Sequence, residues 1–176
     1  HRKLGPQCRG LGFGVGTEPL SSIFVSYGCT ILGTDAPLNN IDPSWAVTNE
    51  HSSSITTMYH ERILPRAAFE AKCNFLELDM NNTSTIPTDY DFHWSSCVIE
   101  HLGGLDHAIT FLIESATRHA PGGYSIQDRT LTTIMSTFRH TKVRYIQGSC
   151  LAATPQQASF WSFTNLLNVS TISDLA

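Results

Sequence analysis

The chain has 176 residues, 41% hydrophobic and 15% charged, with a formal net charge of −4. That length suits one domain with a real core, and the composition is that of a globular chain rather than a disordered one. The 11 Lys and Arg are scattered singly, so no basic stripe could neutralise several phosphates, and no nucleic-acid partner is expected. No apolar run approaches the roughly 18 residues of a membrane span, and no signal-peptide pattern opens the chain, so no membrane partner is expected. Cys8, Cys29, Cys73, Cys97 and Cys150 form no C-x-x-C pair or zinc-like cluster. That predicts free thiols, a cytoplasmic compartment and no metal site.

Residues 1–11 are mostly polar and leave only Cys8 to Leu11 as a first strand. Such a strand is short for an α/β sheet, and the N-terminus is expected to be trimmed. The stretch Arg9-Gly10-Leu11-Gly12-Phe13-Gly14-Val15-Gly16-Thr17-Glu18-Pro19 then places glycines at alternate positions. Without a Cβ, Gly12, Gly14 and Gly16 let the backbone bend tightly and approach a ligand. A helix comes next. Pro19 suits its first position, Leu20, Ile23, Phe24 and Tyr27 recur at helical spacing, and Gly28 sits where a left-handed residue would end it. A dinucleotide fingerprint G-x-G-x-x-G counted from Gly12 would need glycine at position 17, which is Thr17.

Cys29 to Asp35 is an apolar run ending in an acid and predicts a second strand, buried on both faces. Residues 38–60 lack periodicity and predict a long loop with at most one helical turn, in which Trp45 and Thr48 to His51 are candidates for a lid. Glu61 to Lys72 predicts a helix interrupted or begun at Pro65. Cys73 to Asp79 predicts a third strand, Tyr90 to Ser95 a fourth, and Asp106 to His119 a helix. Pro121-Gly122-Gly123 predicts a turn into a fifth strand at Tyr124 to Ile126. Beyond it, Leu131 to Arg139 suits a helix, Lys142 to Gln147 a strand, and Gln156 to Leu167 either a helix or a hairpin strand. Such alternation predicts an α/β domain with a doubly wound, mostly parallel sheet and helices on both faces.

Ligands of such sheets lie beyond the carboxyl ends of the strands. Asp35, 19 residues after Gly16, ends the second strand, where a carboxylate can accept from both ribose hydroxyls. Asp79 ends the third with Met80 beside it, suited to an adenine amino group and ring.

The G-x-G-x-G loop resembles motif I of the class I (Rossmann-like) S-adenosylmethionine-dependent methyltransferases. Asp91-Phe92-His93-Trp94-Ser95-Ser96-Cys97-Val98-Ile99-Glu100-His101-Leu102 resembles their motif IV, and Ala120-Pro121-Gly122-Gly123 their Pro-Gly-Gly turn. The resemblance spans residues 9–126 and is similar to a bacterial-type subgroup carrying Gly-Leu-Gly-Phe-Gly-Val-Gly and a Trp-Ser-Ser-Cys block. It implies S-adenosylmethionine held by Gly12, Phe13, Gly14 and Gly16, its ribose by Asp35, its adenine by Asp79 and Met80, and its methionine portion near Ser95 and Ser96.

The acceptor is expected to be a small molecule, and if it must lose a proton, Glu100 and His101, which follow the fourth strand on the ligand side, are the candidates for the base, with packing and hydrogen bonding at the start of the next helix as the alternative role. Position 10 departs from the family pattern, which has an acid there to meet the cofactor's ammonium; here it is Gly10, and Glu18 is the candidate substitute. The Asn- or Asp-Pro-Pro-aromatic turn of amino-directed relatives is also missing from Ser95-Ser96-Cys97-Val98, which points to an oxygen, carbon or aliphatic nitrogen acceptor. Two alternatives stay open, a nicotinamide-dependent oxidoreductase and a non-catalytic S-adenosylmethionine-binding module. The sequence does not indicate the oligomeric state.

Overall fold

A computed structural model describes residues 4–41, 50–128 and 145–148. Its elements run β1 (Arg9–Phe13), α1 (Leu20–Ser26), β2 (Thr30–Asp35), α2 (Arg66–Glu70), β3 (Cys73–Glu77), β4 (Tyr90–Ser95), α3 (Leu105–Ala116), β5 (His119–Asp128) and β6 (Tyr145–Gly148). The strands form one sheet in the order β3-β2-β1-β4-β5-β6. Every neighbouring pair is parallel. This is the doubly wound α/β arrangement that the alternation of strand and helix predicts. Strand order reverses between β1 and β4, so the crevice for a ligand opens beyond the carboxyl ends of those two strands.

The side chains of a strand point alternately to its two faces, and β1 divides them sharply. Leu11 and Phe13 enter one core with Leu78, Met80, Ile86, Tyr90, Ile99 and the Ala108, Phe111 and Leu112 face of α3. Gly10 and Gly12 face the other core, where Ile31, Phe92, Trp94, Met58, Phe69 and the α1 residues Phe24 and Val25 pack. Helix α3 buries Ala108, Phe111, Leu112 and Ser115, the stripe that a 3.6-residue period puts on one face. Helix α1 ends because Gly28 takes a left-handed φ of 92°. Among the described residues no helix is long and apolar enough to cross a membrane.

Several elements differ from expectation for identifiable reasons. β1 runs on to Phe13, so the strand includes the first glycines of the motif. Of the helix expected over 61–72 only Arg66–Glu70 forms, because Pro65 is extended (φ −62°, ψ 143°) and starts the helix rather than interrupting it. β3 stops at Glu77 and leaves Asp79 in a turn. Pro121-Gly122-Gly123 lies inside β5 rather than before it. Between the Tyr90–His119 and Phe92–Tyr124 pairs β5 carries extra residues, and Gly122 absorbs them with a φ of 81°. The strand expected over 142–147 is β6, seen as Tyr145–Gly148 and paired with β5. The segments 131–139 and 156–167 lie outside the described residues, as do Trp45 and Thr48.

Candidate functional site

The glycine loop is shaped by what packs against it. A Cβ on Gly10 would lie 2.4 Å from the Phe92 ring, and one on Gly12 would lie 2.4 Å from Val15 and 2.5 Å from Trp94. Phe92 and Trp94 stack with centroids 6.0 Å apart, and Phe24 of α1 closes on them at 4.8 and 4.9 Å. These rings form a floor under the loop that only glycines can lie on. Position 10 therefore has no room for an acid. Further along, Gly14 (φ 56°) lies under the Val98 side chain and Gly16 (φ 50°) under the Glu50 carbonyl. Both need the left-handed conformation and a bare Cα.

Asp35, at the end of β2, ties this loop to a strap formed by residues 50–60. Its Oδ2 accepts from the Gly16 amide at 3.0 Å and the Ser52 amide at 2.9 Å, and its Oδ1 from the Ala36 amide at 2.9 Å. The carboxylate is buried and turned into the protein. The described residues leave one acceptor position, on Oδ1, with His51 Nε2 3.9 Å away. That nitrogen donates to the Ala36 carbonyl at 2.6 Å, so His51 braces the same corner. The Ser52 hydroxyl donates to the Gly16 carbonyl and accepts from Thr57. Farther along the strap, the His60 ring donates to the Thr17 carbonyl at 2.8 Å, and its amide donates to Ser22 Oγ at 3.0 Å.

Glu18 lies two residues past the last glycine. The Trp94 indole N–H donates to its Oε1 at 3.1 Å, and the Ser96 side chain is a second hydrogen-bond partner. Burial pushes its carboxyl up to about 7, with the charge of Asp35 acting in the same sense and the two hydrogen bonds opposing. No cation among the described residues pairs with it.

The remaining candidates are distributed around this centre. Ser95 is buried at the end of β4, and Ser96 turns to Glu18. Glu100 and His101 are exposed on the short 3-10 turn Ile99–His101, which Val98 anchors on Gly14. The Phe13 ring is fully buried, edge-on to His93 and Phe111, and so cannot line a ligand site; only its backbone reaches the loop. Asp79 Oδ1 accepts from the Asn81 amide at 2.9 Å. Met80 belongs to the core on the α3 side and lines an open cleft of about 260 Å³ with Asn81, His107, Phe111 and Glu114. The structure thus joins Gly12 to Gly16, Asp35 and Ser96, with Val98 linking the Glu100 turn. It puts Met80 on the far side of the sheet from the aromatic floor.

Sequence reasoning missed the strap and the burial of Glu18. Phe13, expected to help hold the ligand, has its ring buried instead, and the alternation of Leu11 and Phe13 with glycines is the signal that could have shown it. The thiols divide as well. Cys29 and Cys73 are free and buried and Cys8 is buried, but Cys97, at a φ of 53°, is disulfide-bonded, against the expectation of free thiols throughout.

Fold and loop together define the chain as a doubly wound α/β domain whose glycine-loop site opens at the carboxyl ends of β1, β2 and β4. No protein-family model and no curated protein sequence matches it. Among solved structures it is similar to a TehB-like SAM-dependent methyltransferase from Corynebacterium glutamicum, at 17% identity over 67% of this chain and 52% of that one, with a TM-score of 0.46. It is also similar to the glycopeptide N-methyltransferase MtfA complexed with S-adenosyl-L-methionine, at 12% identity over 68% and 43%, TM-score 0.47. A third is a SAM-dependent methyltransferase from Thiobacillus denitrificans in complex with S-adenosyl-L-homocysteine, at 18% identity over 69% and 42%, TM-score 0.46. The chain spans about half or less of the length of these structures.

Proposed function

We propose that this chain binds S-adenosylmethionine at the glycine loop and belongs to a methyltransferase acting on an oxygen, carbon or aliphatic nitrogen of a small molecule. The observation that carries the reading is the G-x-G-x-G loop at the end of β1, fixed from below by Phe92 and Trp94 and from the side by Asp35. The residues fit such a ligand in two respects. Among the described residues Asp35 keeps one acceptor position on Oδ1 for a ribose hydroxyl, and the half-buried Glu18 carboxyl has donors but no cation. The bound cofactor supplies a methyl already activated on a sulfonium.

The work left to the protein is to hold donor and acceptor in line. In this reading the backbone of Gly12, Phe13, Gly14 and Gly16 contacts the ligand, Ser95 and Ser96 border its amino-acid end, and Asp79 borders the adenine, while the Met80 side chain stays in the core on the α3 side. An acceptor that must lose a proton would give it to His101 or Glu100, both exposed beside the loop. The absence of a Pro-Pro-aromatic turn at Ser96-Cys97-Val98 leaves a planar amine without a clamp.

One observation favours a second reading, a nicotinamide-dependent oxidoreductase: the order β3-β2-β1-β4-β5-β6, parallel throughout, is also that of dinucleotide-binding domains. Against it stands Thr17 at the third fingerprint position. Titration calorimetry with S-adenosylhomocysteine and with NAD distinguishes the two. Saturable heat with the first alone is expected; heat with NAD alone overturns the proposal. A screen for methyl transfer from labelled cofactor then separates an enzyme from a non-catalytic binding module.

A further inference from the structure

We infer that Glu18 is the residue that receives the positively charged amino group of the ligand in the glycine loop, a role that position 10 cannot fill. This rests on the reading above and adds the residue that fixes the ligand's amino-acid end. The floor under the loop excludes the other position. Phe92 lies 2.4 Å from where a Gly10 Cβ would stand and Ile31 lies 2.7 Å from it, so a carboxylate on β1 has no space.

Trp94, the next ring of that floor, instead turns its indole N–H to Glu18 Oε1 at 3.1 Å, across 76 residues of sequence. Ser96, one residue beyond β4, holds the carboxyl from a second direction. Side chains from β4 and its loop thus orient a carboxyl beside the last glycine. Both of these partners are neutral. Asp35 nearby adds a second negative charge, and no Lys, Arg or His among the described residues pairs with Glu18.

A half-buried carboxyl in this setting is ill-served by the described residues alone, and burial accordingly raises its proton affinity. An ammonium supplied by a ligand would correct this, since it brings the missing charge and donors to an acceptor already oriented. A neutral nucleoside would not. The site is therefore selective for the amino-acid portion of the ligand, independently of the nucleoside end that Asp35 borders.

The test compares Glu18→Gln with the wild-type chain by calorimetry on three ligands. These are S-adenosylhomocysteine, its decarboxylated form, which keeps the amine, and 5′-methylthioadenosine, which keeps only the nucleoside and thioether. The substitution preserves shape and leaves the Trp94 and Ser96 partners in place. We expect Glu18→Gln to weaken both amine-bearing ligands by about tenfold or more, and methylthioadenosine by less than about twofold. Equal losses on all three ligands, or no loss on any, overturn the assignment while the wild-type binding keeps the cofactor reading intact. Failure of all three to bind the wild-type chain overturns both.

Discussion

Replacing Gly16 by Ala tests whether the glycine loop is held by the strap. At a φ of 50° any residue with a Cβ pays the left-handed penalty, about 1–2 kcal/mol. The added carbon also lands 2.4 Å from the Glu50 carbonyl oxygen, so the strap must retreat by about 1 Å to reach ordinary contact. That carbonyl is two residues from Ser52, whose hydroxyl bonds the Gly16 carbonyl and whose amide bonds Asp35. Losing those two hydrogen bonds costs about 1 kcal/mol each. The expected total is about 3–4 kcal/mol.

Gly122→Ala is the control: its φ is 81° but none of the described residues lies within 4 Å of the new carbon, so it incurs only the backbone penalty. Urea denaturation at pH 7.5, followed by tryptophan fluorescence, to which the buried Trp94 contributes, gives both values as midpoint shifts at constant slope. A loss for Gly16→Ala no greater than that for Gly122→Ala would refute the strap as the loop's support.

Other outcomes follow from the titrating groups and from Asp35. His93 and His119 stack with centroids 4.2 Å apart, and burial pushes both imidazoles down, His93 well below 6.5. The unfolded chain therefore takes up protons first, and stability is expected to fall as pH drops below about 6.5, more steeply in the wild type than in His93→Phe. Glu18 has the opposite sign. Its folded carboxyl keeps a proton up to about 7 against 4.5 unfolded, so its effect is full at low pH and lost as pH rises through 7. Glu18→Gln is expected to be more stable than the wild type at pH 8, by at most on the order of 2–3 kcal/mol, with the gap closing near pH 5. The two trends oppose each other, so each is read as variant minus wild type in urea titrations. Asp35→Ala removes the acceptor of three amides and is expected to weaken S-adenosylhomocysteine binding by about 1–3 kcal/mol in calorimetry; unchanged affinity in a folded variant would remove it from the site.

The parts of this molecule legible in its sequence are those whose signal is local. Tyr90 to Ser95 alternates and is bounded by turn residues, and β4 occupies those residues. Asp35 ends an apolar run, and it ends β2. The strap was illegible because it carries no hydrophobic period: its polar side chains bond backbone groups of the loop, and Met58 fills the space beside Gly33 with Val15. Nothing near Pro121 announces that the Pro-Gly-Gly segment sits within the ladder, since the bulge is set by the register of β4. The setting of Glu18 is equally remote, because Trp94 decides it from 76 residues away. Gly10 shows both sides of this. Its identity is plain in the sequence, while its cause, the Phe92 ring, exists only once β4 lies beside β1.

The central claim is that the loop from Gly12 to Glu18 holds the amino-acid and ribose portions of S-adenosylmethionine. Amide chemical shifts of the labelled chain, followed while S-adenosylhomocysteine is titrated in, test it most directly, because Gly12, Gly14, Gly16, Glu18 and Ala36 each report separately. Saturable shifts concentrated on those amides, with smaller ones at Ser52 where the strap shares Asp35, are the predicted result. Shifts confined to the cleft around Asn81, His107 and Thr110, or none anywhere at saturating ligand, would contradict it.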